Sequence, residues 1–299
     1  MFGGNVFGWT VDEPTSFALL DSFVGAAFNF IDTADVYSVW VPGHKGGESE
    51  TIIGKWMRLR GNRDRVIIAT KAGWEMAPGK KGLSKSHIIA ACEDSLQRLQ
   101  TDYIDLYQAH LDDPDTPQIE TLEAFARLVA EGKVRVIGAS NFNAGRLSSA
   151  LKLSRENGLP AYSSLQPRYN LYDRAEFEGD LADLCLKEKI GVIPYAALAG
   201  GFLSGKYRTD ADRAQSQRGA RMDARMNDRG FRILDALDKV AAEHSATAAQ
   251  IAVAWVMSRP AVTAPIVSAT NLPQLDQLIA ATRLKLDGAS IGMLNQSSA

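Results

Sequence analysis

The feature that most constrains this chain is an alternation, kept up along nearly its whole length, between short apolar β-branched runs and longer stretches of helical periodicity. Runs at residues 28–32, 66–71, 104–110, 134–140, 164–169, 191–195 and 264–267, with an opening run at 4–7, have the character of strands. Val66-Ile67-Ile68-Ala69-Thr70 is apolar without alternation, as expected of a parallel strand covered on both faces. Helical stripes fall between the runs at 13–27, 49–59, 84–99, 118–131, 144–157, 180–188, 248–258 and 271–280. Ser84 stands where an N-cap belongs, ahead of the stripe Ile88, Ile89, Cys92, Leu96 and Leu99, and Gly132 suits the position just past the next helix. Eight strands alternating with eight helices through right-handed crossovers close into a (β/α)8 TIM barrel. An open doubly wound sheet is the rival, but no G-x-G-x-x-G turn follows the first strand. Residues 1–299 are therefore expected to be a single barrel domain.

Charge and composition narrow the partners. A net charge of −2 and a pI near 6.1 give no attraction for nucleic acid. No run of about 18 apolar residues suggests a membrane span, and the N-terminus has no signal-peptide pattern. The two cysteines, Cys92 and Cys185, lie in helical stripes as small hydrophobes, which fits a reducing cytoplasm. His44, His87 and His244 are scattered without ligand spacing, so no metal site is expected.

In a barrel of this kind the active site gathers at the C-terminal ends of the strands. Those ends carry Asp32, Lys71, His110, Ser140-Asn141, Gln166 and Tyr195, with Tyr37 just beyond the second. These residue types suit hydride addition to a carbonyl. The oxygen gains negative charge and needs a proton, and a tyrosine hydroxyl is a poor donor near neutrality unless its pKa is lowered. A neighbouring lysine would lower it, a carboxylate would hold the lysine charged, and a histidine could bond the substrate oxygen.

These stretches resemble the aldo-keto reductase family, in order and over nearly the whole length. Asp32-Thr33-Ala34-Asp35-Val36-Tyr37, Ala69-Thr70-Lys71 and Asp105 to His110 resemble the segments that carry the family's catalytic aspartate, tyrosine, lysine and histidine. The resemblance thus implies Asp32, Tyr37, Lys71 and His110 as a catalytic tetrad. It implies Ser140, Asn141 and Gln166 as contacts of a nicotinamide carboxamide, with Tyr195 stacked on the ring. Leu198 to Lys206 resembles the loop along the cofactor pyrophosphate, which implicates Leu198, Gly200, Ser204, Gly205 and Lys206. The segment from Ile266 to Leu275 resembles the turn that receives the adenosine phosphate, with Ser268, Thr270 and Gln274, and Gln277 beyond it.

The implied function is NAD(P)H-dependent reduction of an aldehyde or ketone, reversible, with Tyr37 as proton donor. The alternative is a cofactor-binding, redox-sensing regulatory subunit of slow turnover. Ser268, Ala269 and Thr270 stand where relatives often carry arginine or lysine to grip a 2′-phosphate. NADP(H) remains favoured over NAD(H), with Lys206 and Arg218 or Arg221 as the source of charge. The arginine-rich stretch 207–230 is expected to clamp the pyrophosphate. The hairpin that closes the barrel floor in the family is expected to be absent or truncated, since Met1 lies almost at the first strand. Trp9, Trp40 and Trp74 follow strand ends and are candidates for the substrate mouth, although Trp40 could equally pack within its own loop. The partner is a small carbonyl or alcohol; the sequence leaves the oligomeric state open.

Overall fold

A computed structural model describes residues 1–215 and 219–299, with the side chains of Gln215 and Arg221 outside the description, as is all of Arg218. Seven parallel strands lie side by side in chain order: β1 Phe2–Gly3, β2 Phe30–Asp32, β3 Ile67–Ala72, β4 Ile104–Ala109, β5 Val134–Ser140, β6 Ser164–Gln166 and β7 Gly191–Val192. Residues 262–267 complete the ring. On one side the Thr263 and Ile266 N–H groups donate to Val192 and Pro194, each at 2.8 Å. On the other, Gly3 N–H donates to Val267 O at 2.8 Å and Val267 N–H to Met1 O at 3.0 Å. The sheet is closed, as a (β/α)8 barrel requires.

The helices outside it are α1 Glu13–Gly25, α2 Glu48–Arg60, α3 Lys85–Leu99, α4 Gln118–Ala130, α5 Ala144–Asn157, α6 Asp180–Glu188, α7 Asp228–Glu243, α8 Ala248–Met257, α9 Leu272–Ala281 and α10 Gly288–Ser297. Their ends follow local chemistry. Ser84 accepts the His87 N–H at the start of α3, and Thr247 with Gln250 forms a reciprocal capping box at α8. Gly132, at φ 74°, lies just past the end of α4.

Four expected strands differ in the structure. The opening strand is Phe2–Gly3 rather than 4–7, because residues 4–6 form a 3₁₀ turn whose Gly4 carbonyl accepts the Ser49 hydroxyl at 2.8 Å. The strands expected at 164–169 and 191–195 are cut short where Pro167 and Pro194 withhold a backbone donor. Pro265 does the same at 262–267, which pairs through single bridges rather than as a continuous strand.

The barrel interior is layered, and the layering places the site. Side chains two apart on a strand face the same side. Ala69, Leu106, Ile193 and Ile266 pack together with Phe30 and Met1 as an apolar layer. One step further along their strands come Asp32 after Phe30, Lys71 after Ala69 and Gln108 after Leu106, with Gln166 beside them. A polar layer therefore rests directly on an apolar one. The larger core lies between sheet and helices, around Trp56, Tyr107, Phe125 and Trp255.

Candidate active site

Strand register brings the polar layer together: Lys71 lies opposite Gln108, and Ser140 opposite Gln166. Lys71 is fully buried, and its ammonium donates to Asp32 Oδ2 at 2.8 Å and to Thr33 O at 2.5 Å. The other oxygen of Asp32 accepts from Gln166 Nε2 at 2.8 Å and from Gln108 Nε2 at 3.4 Å. Burial pulls the Lys71 pKa down, but Asp32 and Tyr37 outweigh it and hold the ammonium above its usual value. It is a fixed positive charge.

The Tyr37 ring lies 4.9 Å from the Lys71 nitrogen. Burial raises the tyrosine pKa and Lys71 opposes it, and the net shift is upward. This corrects the expectation of a lowered value: removing a phenolate from water costs more than one nearby ammonium returns. The hydroxyl is protonated at neutral pH. His110 stands across from it, with ring centroids 6.0 Å apart. Burial, helped by the charge of Lys71, pushes the His110 imidazole well below its ordinary range, so the ring is neutral.

Asn141 Nδ2 donates to His110 O at 2.9 Å and to Ser140 Oγ at 3.1 Å, and the Ser140 hydroxyl donates to Gln166 O at 2.9 Å. Tyr195 O–H donates to Asn141 Oδ1 at 2.9 Å. All four residues expected around a nicotinamide are thus in one connected patch at the mouth.

Further along, Gly200 and Gly201 adopt φ of 72° and 105°, and Gly205 adopts 80°, conformations that bare the backbone of the loop after β7. Ser204 Oγ donates to Gly201 O at 2.7 Å, and Leu198 O accepts the Gly201 N–H at 2.8 Å, so these two residues shape the loop. Lys206 is exposed, and among the described residues no carboxylate pairs with it. These features fit a phosphate-bearing ligand. The arginines of 207–230 fit a clamp less well than expected. Arg208 pairs with Asp238 at 2.6 Å, Arg213 with Asp210 at 2.7 Å, and Arg225 with Asp173 at 3.1 Å. Arg218 and the Arg221 side chain lie outside the described residues.

In the last turn, Thr270 N–H and Oγ1 both contact Gln274 Oε1, at 2.9 and 3.0 Å, on the exposed N-terminal end of α9. Gln277 is exposed one turn on. Ser268 is different: its hydroxyl lies 2.7 Å from both Gly3 O and Asn5 Oδ1, tying the turn to β1.

The three tryptophans lie next to the rings of Tyr37 and His110 or to one another. Trp40 meets Trp9 edge-on at 5.5 Å and Tyr37 at 5.8 Å, while Trp74 lies 5.4 Å from His110. Trp40 therefore packs against the site rather than within its own loop. Gln108 was missed from sequence; its signal was its phase, two residues after Leu106 and two before His110. Among the described residues no group of three or more His, Cys, Asp or Glu could hold a metal ion, and no helix is long and apolar enough to cross a membrane.

The model of the aldo/keto reductase family matches residues 1–299. This chain belongs to the aldo/keto reductase family. It is 34% identical to an uncharacterized oxidoreductase, YrpG, of Bacillus subtilis, over 97% of this chain and 88% of that protein. It is 32% identical to an aryl-alcohol dehydrogenase [NADP(+)] of Phanerodontia chrysosporium, over 96% and 77% of the two chains. It is also 32% identical to a probable voltage-gated potassium channel subunit beta of Oryza sativa, over 90% and 82%. As a member of this family it is an oxidoreductase of carbonyl or alcohol substrates.

Proposed function

We propose that the chain, acting as one catalytic unit, reduces an aldehyde or ketone reversibly, with Tyr37 as proton donor and NADP(H) preferred over NAD(H). The observation that carries this is the buried Lys71–Asp32 pair beside a protonated Tyr37 and a neutral His110. The bound nicotinamide dinucleotide supplies the hydride. Tyr37 gives its proton to the carbonyl oxygen: hydride addition leaves an alkoxide, a far stronger base than a phenolate, so the transfer runs downhill even from a tyrosine whose pKa burial has raised, and the charge of Lys71 stabilises the phenolate left behind. Asp32 keeps that ammonium charged and aimed, and Gln166 and Gln108 keep Asp32 aimed. A neutral His110 donates a hydrogen bond to the carbonyl oxygen, which a charged ring beside Lys71 would do only at an electrostatic cost.

Ser140, Asn141 and Gln166 hold the carboxamide in this reading: Gln166 spends its N–H on Asp32, which leaves its Oε1 to accept. Tyr195 would stack on the nicotinamide ring, with its hydroxyl holding Asn141 beside it. Leu198, Gly200, Ser204, Gly205 and Lys206 follow the pyrophosphate, and Thr270, Gln274 and Gln277 meet the adenosine end. Lys206, which no carboxylate pairs among the described residues, supports the 2′-phosphate, as does the NADP(+) dependence named for the Phanerodontia relative. An aromatic mouth of Trp9, Trp40 and Trp74 favours an aromatic carbonyl. Two buried free cysteines suit a reducing cytoplasm.

Similarity to the rice channel subunit favours a second reading, a cofactor-binding regulatory subunit. One experiment separates the two: a fluorescence titration with NADPH and NADH, followed by turnover of benzaldehyde. Tight NADPH binding with turnover supports the reductase. Tight binding without turnover moves the assignment to the regulatory subunit, and no binding sinks both.

A further inference from the structure

We infer that Glu48 is a positioning residue that fixes both Tyr37 and the aromatic wall of the mouth by clamping the two ends of the loop between them. This rests on the reductase reading above, because it deepens the role of the same site.

The loop, residues 38–47, runs from Tyr37 to the start of α2 and contains Pro42, Gly43, Gly46 and Gly47. Such a segment has few apolar anchors of its own, yet it carries Trp40. One carboxylate holds it. Oε2 of Glu48 accepts the Ser38 N–H at 3.0 Å, and Oε1 accepts the Lys45 N–H at 2.9 Å. The two oxygens thus grip opposite ends of the loop, and the first grip is on the residue after Tyr37.

Three further contacts reinforce it. Ser49 N–H donates to the Tyr37 carbonyl at 3.2 Å, locking the tyrosine backbone to the same end of α2. His44 Nδ1 lies 3.1 Å from Ser38 Oγ and 3.9 Å from Glu48 Oε2, so the loop folds back over the carboxylate. Gly47, at φ 82°, passes so near Arg98 that any side chain there would collide with the guanidinium. The chain therefore enters α2 along a fixed path, with Glu48 as its first helical residue. N–H bonds to a carboxylate are about twice as strong as neutral ones, and the Glu48 side chain is three-quarters buried.

The consequence reaches the substrate. Among the described residues Trp40 makes no hydrogen bond across the mouth; its place is set by edge contacts with Tyr37 and Trp9 and by the loop that carries it. Freeing the loop should loosen Trp40 and penalise substrates that lean on it.

The test uses full-length Glu48→Ala and Glu48→Gln, with two independent readouts. Hydrogen exchange of the chain without substrate should quicken about ten-fold or more at Ser38 and Lys45 in Glu48→Ala. Glu48→Gln, with one acceptor oxygen left, should fall between, and serves if the alanine variant does not fold. In turnover, KM for benzaldehyde should rise roughly five- to ten-fold while KM for propanal stays within about two-fold. Unchanged exchange at both amides overturns the inference whatever the kinetics. Faster exchange with equal KM rises for both aldehydes overturns the role in the aromatic wall. Lack of turnover in the parent protein counts against the reductase reading instead, and the exchange result alone then decides the role of Glu48.

Discussion

Removing the positive charge at position 71 perturbs stability as well as chemistry, and the size of the effect follows from the surroundings of Asp32. In Lys71→Met the carboxylate of Asp32, 2% exposed, loses an ammonium at 2.8 Å and gains nothing in its place. Breaking a buried ion pair by removing one partner costs about 3–5 kcal/mol, because a charge is left uncompensated in a poorly polarisable site. Two amide donors remain on Asp32, from Gln166 and Gln108, which places the cost toward the lower end. For a chain of this size that corresponds to a Tm lower by roughly 5–8 °C. The double variant Lys71→Met with Asp32→Asn removes the stranded charge as well, so it should recover at least about half of the loss. Thermal melts of the protein without cofactor, single against double variant, make the comparison. A single variant within about 1 kcal/mol of the parent would refute the reasoning, as would a double variant less stable than the single.

Two other consequences can be checked with little effort. Asp35 is fully buried, among the described residues neither of its carboxyl oxygens has a hydrogen-bond partner, and burial, with the charge of Glu50 beside it, pushes its pKa up to about 8. Below about pH 4 both folded and unfolded chains carry it protonated; as pH rises toward 8 the unfolded chain ionises first, costing about 1.4 kcal/mol of stability per unit. Asp35→Asn should therefore gain stability over the parent between about pH 5 and about pH 8 in thermal melts, and a pH-independent difference would contradict this. Trp74, 47% exposed beside His110, should act as a pocket wall: Trp74→Ala should raise KM for benzaldehyde about ten-fold, and unchanged KM values for all aldehydes would remove it from the mouth.

The barrel and the positions of its polar strand ends were legible because both depend on local pattern. Parallel strands buried on two faces are apolar throughout, and their C-terminal ends converge whatever the loops do. What escaped was set by tertiary context. Pro167 and Pro194 shortened two pairings that hydrophobic runs alone extend too far, and Pro265 broke the last into single bridges. α10 was not anticipated, since Gly288-Ala289-Ser290 begins a helix without an apolar stripe. At 207–230 sequence shows a basic stretch without its pairings, whereas the folded chain sets Arg208 against Asp238, Arg213 against Asp210 and Asp223, and Arg225 against Asp173. Nor does sequence reveal that one glutamate, Glu48, reaches backbone at both ends of a ten-residue loop, because that depends on the return path of the chain.

The central claim is that Tyr37 supplies the proton, and replacing only its hydroxyl tests it most directly. Tyr37→Phe should be assayed for NADPH-dependent turnover of benzaldehyde alongside an NADPH fluorescence titration. The account predicts kcat reduced by at least about 100-fold, the usual yield of a positioned acid, with the NADPH Kd within roughly three-fold of the parent. A kcat left within about three-fold would contradict it and move the proton donor elsewhere in the site.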